Sequence, residues 1–483
     1  MCPLVIGHQP VKRRGHSTVQ VGDYLYMWGG DQPGLPHIHN DEKKKSMCSV
    51  VEVCHVPNGE WVQKPTTGDP PLGVRGYAVA VIRNEVFFFG GWCCHGDCNH
   101  NSLYSFNVET FNWKELSPTT SHHGPMMKEG SSMIAVKVNG EDYLAVIGGW
   151  RSSSNNTPPQ PGAQYSEATF GANQHCNEVH VYRLKTGEWT SPTVTGDRPP
   201  PIDDFTLTSI TNTTAILFGG AIDNLRYSND VYIFEFTDTS VKCTKFPNPG
   251  GSAQWPKKRE YHSSVLINCS SGPHLLVVGG KGWGASDCWL LNVNKMEWKE
   301  LTNIPDSVTH RYDHSLSVWN ETQTTHWIIE FGGGSKYSDT RFIEIISSTG
   351  DLVVQSVLDI NEYNQRRVLE GLAKEFIKDH PVSIEDILGK EPKLKDLHRL
   401  FDSSAAHYST IGTALEVAVD DLSHSEKSAS DKLLSVFKRW IESNKGVTWR
   451  NALQVCKDYP DKFGRVKASL DKFLQSDRAH KEY

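Results

Sequence analysis

The residues best suited to chemistry in this chain stand together at Cys93, Cys94, His95, Cys98 and His100, five possible metal donors within a few positions. Tetrahedral zinc takes four thiolate or imidazole donors from a segment able to wrap the ion. Cys-x3-Cys or Cys-x4-Cys with a nearby His meets part of that need. Against a metal, the side chains of adjacent Cys93 and Cys94 must diverge, and no second Cys-x-x-Cys pair closes the site. The expectation is therefore a loop of buried or free thiols, with no metal and no cofactor.

Catalytic patterns are equally sparse. Histidines and acids are numerous, yet there is no nucleophile elbow, phosphate loop, HExxH or paired-acid motif. His16, His262 and His314 recur at one place in a repeating pattern, which suits a structural hydrogen bond better than catalysis. The chain is expected to have no catalytic residues and not to be an enzyme.

Those residues are positioned by a repeat. Six glycine doublets, Gly29-Gly30, Gly90-Gly91, Gly148-Gly149, Gly219-Gly220, Gly279-Gly280 and Gly332-Gly333, each end an apolar run such as YLYMWGG or EVFFFGG. Such a run reads as a buried strand, and paired glycines mark crowded or positive-φ backbone. A polar-to-apolar strand precedes each doublet and an alternating strand follows it. Four repeats then open a further strand with tryptophan, at Trp61, Trp113, Trp189 and Trp298, while the fourth and sixth lack it. Each repeat is thus four short strands, and the period indicates an array.

Gly-Gly closing the second strand and Trp opening the fourth resemble kelch repeats, and the resemblance implies an all-β six-bladed propeller over residues 10–356. Blade one and blade six each already hold four strands, so how the ring closes is open. In kelch propellers the loops before the first strand and after the doublet crowd one mouth of the channel, where arginines often grip a peptide. Positions matching that pattern are Arg14, Arg75, Arg259 and Arg311. Arg14 and Arg75 share one register, whereas Arg259 and Arg311 sit one residue earlier, aligned with Arg13. The third and fourth repeats offer Lys128, Glu129, Asp203 and Asp204 instead. Such a mouth would favour a peptide carrying carboxylates near one rim. Trp92, Trp150 and Trp283 follow their doublets and are candidate hot-spot contacts. Long inserts in repeats one and three, DQPGLPHIHNDEKKKS and WRSSSNNTPPQPGAQYSEATFGANQH, should wall one side.

Composition changes near residue 356. Of 40 glycines and 25 prolines, only 5 and 3 lie in the last 128 residues, which carry 21 basic and 21 acidic side chains. The net charge of -7 therefore belongs to the propeller, which argues against a general nucleic-acid binder. The stretch EYNQRRVLEGLAKEFIKDHP, with Val368, Leu369, Leu372, Phe376 and Ile377, predicts an amphipathic helix ending at Pro381, inside a connector over 357–391. Beyond it, Ile411, Gly412, Leu415, Leu434, Trp440, Thr448, Trp449 and Leu453 fall in an order similar to a death domain. That resemblance implies an all-α six-helix death-fold bundle over 392–476, with a tail over 477–483; the residue types themselves offer a C-cap at Asn444 to Gly446 and a cap for the next helix at Thr448.

No run of residues is apolar and long enough to span a bilayer, and the amino-terminal stretch lacks a signal-peptide pattern. The 11 cysteines are scattered on apolar strand faces, as at Cys54, Cys243 and Cys288, and are expected to be reduced core thiols. The reading is a cytoplasmic, non-enzymatic adaptor: a peptide or protein ligand on the propeller face, and death-fold or self-association through the tail. A ubiquitin-ligase substrate receptor is the alternative. With few residues before the first strand, its recruitment would have to use the tail. A metal-dependent propeller enzyme is the remaining class.

Overall fold

A computed structural model of the chain describes residues 7–120, 123–151, 159–166, 173–223, 226–250, 254–334, 337–348, 351–379, 384–443 and 446–483. Each repeat folds as an antiparallel four-stranded blade in chain order. Blade 1 is Ser17–Val21, Tyr24–Trp28, Val50–His55 and Glu60–Pro65. Blade 2 is Ala78–Ile82, Glu85–Phe89, Leu103–Asn107 and Asn112–Ser117. Blade 3 is Ser132–Val138, Glu141–Ile147, Val179–Arg183 and Glu188–Thr190. Blade 4 is Thr206–Ser209, Thr214–Phe218, Val231–Phe236 and Ser240–Phe246, with Thr193–Gly196 added parallel to its last strand. Blade 5 is Ser263–Cys269, Gly272–Val278, Cys288–Asn292 and Glu297–Glu300. Blade 6 is Ser315–Asn320, Thr325–Phe331, Thr340–Ser348 and Asp351–Asp359.

The doublets are inter-blade fasteners. Gly29 and Gly30 both have positive φ, and the Gly30 N–H donates to the Val74 carbonyl of the next blade at 2.7 Å. A Cβ on Gly29 would stand 2.7 Å from that same carbonyl, so no larger residue fits. The bond recurs around the circle, from Gly91 to Lys128, Gly149 to Ile202, Gly220 to Arg259, Gly280 to Arg311 and finally Gly333 to Arg13. That last bond closes the ring between blades 6 and 1 with no strand shared between them.

Aromatic packing supports the same contacts. Trp61, Trp113, Trp189 and Trp298 reach into the preceding blade, against Phe331, Trp28, Phe89 and Phe218 at centroid distances of 5.8, 5.0, 5.4 and 5.0 Å. Where tryptophan is missing, Val241 and Leu352 fill the place and are buried. The seam has further bonds: Ser315 Oγ with His16 Nε2 at 2.9 Å, and Trp319 Nε1 donating to Asp23 at 3.1 Å.

A helix also clasps the seam. The stretch expected to connect domains forms the helix Ile360–Asp379, whose first turns belong to the propeller unit, which ends at Arg367. Tyr363 stacks on Phe342 of blade 6 at 3.8 Å and donates its hydroxyl to the Val56 carbonyl of blade 1 at 2.9 Å. Arg366 holds Glu344 through two bonds of 2.8 Å, and Arg367 joins Glu321 to the Pro57 carbonyl. Val368, Leu369 and Leu372, expected on an apolar face, are exposed. The side chains of Phe376 and Ile377, and Pro381, lie outside the described residues.

The second unit, Val368–Tyr483, has its own core and consists of several helices, including Leu394–Phe401, Tyr408–Ala414, Ala429–Ser443, Trp449–Asp458 and Pro460–Leu474. Ile411, Leu415, Trp440, Trp449 and Leu453 are in that core. Leu434 is only half-buried. The stripe of Ala429–Ser443 runs through Leu433, Val436, Phe437 and Trp440, and Leu434 falls beside it. Thr448 is the N-cap of Trp449–Asp458 and accepts from the Asn451 N–H, whereas Asn444 lies outside the described residues. Thr448→Ala should cost about 1 kcal/mol of this unit's stability, read by chemical denaturation.

A candidate binding mouth

The segment leading into each first strand has one five-residue register: RRGHS, VRGYA, KEGSS, IDDFT, REYHS and RYDHS. Its third residue, Gly15, Gly76, Gly130, Asp204, Tyr261 or Asp313, takes a positive φ in every blade. These six residues form a closed chain of backbone hydrogen bonds around the channel. Gly76 donates to Gly15 at 3.2 Å, Gly130 to Gly76 at 2.9 Å, and Asp204 to Gly130 at 2.9 Å. Tyr261 donates to Asp204 at 3.2 Å, Asp313 to Tyr261 at 3.0 Å, and Gly15 to Asp313 at 3.0 Å. Blades 1 to 3 use glycine, for which left-handed backbone is cheap. Blades 4 to 6 place side chains there at a conformational cost of about 1 kcal/mol or more each.

The first register position faces into the blades. Arg259 and Arg311, expected at the mouth, are fully buried and donate to the Gly279 and Gly332 carbonyls at 3.0 Å. Arg259 pairs with Asp287 at 2.6 Å, and Arg311 with Asp339 at 2.8 Å. Lys128, also expected at the mouth, is buried against Glu178 at 2.7 Å. A shift of one residue along extended chain turns a side chain to the opposite side, which is why these cations serve the scaffold. The fourth position carries the recurring histidines. Burial drives His16 and His262 well below their usual range and His314 to about 3, so they are neutral. His262 bonds Thr206 of the neighbouring blade at 3.2 Å, much as His16 bonds Ser315.

Most second and third positions line a cavity of about 440 Å³, whereas Arg14, expected at the mouth, is not part of its lining. Six carboxyl groups line the cavity: Glu129, Asp203, Asp204, Glu260 and Asp313 from the register, and Asp97 from the loop after the blade 2 doublet. Burial, then mutual repulsion, pushes Asp203 and Asp204 well above the usual carboxylate range. Burial also takes Glu129 and Glu260 to about 7, partly offset by Arg75 and Lys281 respectively. Asp313 rises for the same first reason, although Arg75 is 3.4 Å away. The positive side is small. Arg75 is engaged by Asp313, Arg14 by Asp31 at 3.0 Å, and Lys281 lies over the rings of Tyr261 and Tyr312 at 5.1 and 4.8 Å. Trp92 and Trp150 line the cavity; Trp283 stands apart, 98% exposed.

The inserts contribute walls. The blade 1 insert folds into the helix Glu42–Cys48, capped by Asp41, so it is not loop throughout. In the blade 3 insert, 152–158 and 167–172 lie outside the described residues, while Asn173 and His175 reach the cavity and His175 bonds Asp203 at 3.1 Å. Of the early donor cluster, Cys93, Cys98 and His100 come together with His39 from the blade 1 insert. Cys94, at φ +61, packs in the core between blades 1 and 2, and His95 is exposed. His39 and the hydrogen-bonded ring of left-handed residues are the features that sequence reasoning missed. The recurrence of the RRGHS register was the available signal for the ring.

Six four-stranded blades joined through glycine doublets, with a polar cavity at one mouth, define a kelch propeller. The KLHDC2/KLHL20/DRC7 Kelch-repeats domain matches residues 2–158 and 166–349, and the chain belongs to this family. It is similar to Kelch domain-containing protein 1 of Homo sapiens, 26% identical over 336 residues that cover 67% of this chain and 75% of that protein. Kelch domain-containing protein 2 of Bos taurus is 23% identical over 339 residues, 67% of this chain and 76% of that protein. Host cell factor of Drosophila melanogaster is 26% identical over 288 residues, 57% of this chain and 16% of that protein. Kelch propellers are typically protein-binding, and no helix among the described residues is long and apolar enough to cross a membrane.

Proposed function

We propose that this chain is a cytoplasmic, non-enzymatic adaptor whose propeller mouth captures a cationic peptide segment, rich in lysine or arginine or ending in a free amine. The convergence of six carboxyl groups in one cavity carries this reading. A ligand bearing carboxylates, which the arginine register suggested, would meet cations already engaged by Asp31 and Asp313 and would face the remaining acids. A cation instead relieves the repulsion among carboxylates, and Trp92 and Trp150 line the same cavity. The helical unit is the second arm. The order of Ile411, Leu415, Trp440, Trp449 and Leu453 in its core and its balanced charge support docking with death-fold partners or with itself.

Isothermal titration of the full chain with basic and acidic peptide pools of equal length tests the mouth. Basic peptides should bind, more weakly as salt rises and more tightly as pH rises through about 7, because binding a cation drives protons off the acids. Preference for the acidic pool would sink the proposal. For the second arm, a pull-down should recover death-fold proteins. Recovery of cullin or elongin components in their place would make the chain a ligase receptor.

A further inference from the structure

Four donor atoms from two blades meet beside the mouth. The side-chain donors of His39, Cys93, Cys98 and His100 all lie within 4.8 Å of one another. His39 Nδ1 is 3.6 Å from Cys93 Sγ and 3.3 Å from Cys98 Sγ, and Cys98 Sγ is 3.7 Å from His100 Nε2. Zinc bonds of about 2.3 Å to sulfur and 2.0–2.1 Å to nitrogen make a tetrahedron with edges of about 3.3–3.8 Å. The three observed edges already have that size. We propose that His39, Cys93, Cys98 and His100 form a tetrahedral zinc site that staples the blade 1 insert to the loop after the blade 2 doublet.

The surroundings hold the donors in place. His100 turns Nε2 to the cluster while its Nδ1 is bonded to Thr119 Oγ1 at 3.3 Å, the outer hydrogen bond that orients a ligating imidazole. The Cys93 N–H donates to the Cys98 carbonyl at 3.1 Å, closing the loop between the two thiols, and the buried Lys44 ammonium donates to the Cys93 carbonyl. His39 and His100 lie with rings parallel, 5.4 Å apart. Two sulfur and two nitrogen donors in a tetrahedron select zinc over harder cations, and each thiol gives up its proton as the ion binds. The site was hidden because its fourth donor comes from another blade, 54 residues before Cys93.

The staple also bears on the mouth. Gly96, Asp97 and Asn99, in the loop that carries Cys98, line the cavity, and Trp92 donates its indole N–H to the Gly96 carbonyl at 2.7 Å. Zinc would thus fix one wall of the binding cavity and tie it to the insert.

Metal analysis of the full-length protein purified without chelator should find about one zinc per chain. His39→Ala and Cys98→Ser should each lose it, whereas His95→Ala and Cys269→Ser, which change an exposed neighbour and a distant cysteine, should keep it. If Cys98→Ser misfolds, cobalt(II) added to the zinc-stripped wild type gives a second readout. Intense visible bands of a tetrahedral thiolate site support the proposal, and the pale spectrum of octahedral cobalt overturns it. Sub-stoichiometric zinc that added zinc does not raise, or zinc retained in folded His39→Ala, also overturns it. So does a Cys93–Cys98 disulfide in protein kept under reductant.

Discussion

Asp204→Asn should make the propeller more stable at neutral pH and abolish capture of a basic peptide. Asp204 is held at φ +48, a conformation asparagine tolerates as readily as aspartate, so the backbone ring is preserved. What changes is charge. Burial first, then Asp203, Asp313, Glu260 and Glu129, raise its carboxyl well above the unfolded value. An acid whose folded pKa is raised contributes its full stability below the unfolded pKa and loses it as pH rises through the folded one. For Glu129 and Glu260 that window runs from about 4.5 to about 7. Removing one carboxylate from this cluster should therefore gain about 1–2 kcal/mol near pH 8 and almost nothing near pH 4. Thermal denaturation at the two pH values, paired with peptide titration, measures both effects. A variant less stable than wild type near pH 8 would contradict the assigned repulsion. Gain of stability with loss of binding is the mark of a site held in a strained state for a ligand.

Tyr363→Ala should cost about 3–5 kcal/mol, the usual range for emptying a buried aromatic site. The ring is wholly buried, face to face with Phe342 and edge-on to Trp327 at 4.9 Å, and its hydroxyl satisfies a blade 1 carbonyl. Tyr363→Phe keeps the packing and should lose only about 1 kcal/mol. Leu372→Ala, on the same helix but exposed, should be near neutral. Urea denaturation ranks the three. Equal effects of Tyr363→Ala and Leu372→Ala would mean that the helix does not clasp the seam.

The blades were legible because each doublet is a local signal: two glycines where only glycine fits under a neighbouring carbonyl, at the end of a continuous apolar run. The cavity at the mouth was legible in place but not in charge. Arg259 and Arg75 differ by one register step, and that step decides between a buried scaffold cation and a side chain at the mouth. Three of the six left-handed ring positions are Asp204, Tyr261 and Asp313, where aspartate is merely tolerated and tyrosine disfavoured, so residue type alone did not mark the ring. Their common geometry appears only when the blades are closed into a circle. The zinc donors show the same limit, since Cys93, Cys98 and His100 announce themselves and His39 does not. In the tail, Leu434 looked as good a core residue as Leu433, and only the packed face of the helix separates them.

The bond from Gly333 to Arg13 has an entropic cost of its own. It joins residues from opposite ends of the propeller, whereas the equivalent bond from Gly30 to Val74 joins neighbours in the chain. Loop-closure entropy grows only logarithmically, so this contact costs about 2 kcal/mol more than a bond between successive blades. That excess is smaller than the stabilisation expected from Tyr363 alone, which sits across the same junction. Circularity is therefore inexpensive. A chain that has stacked its blades need only dock one helix for the final junction to hold.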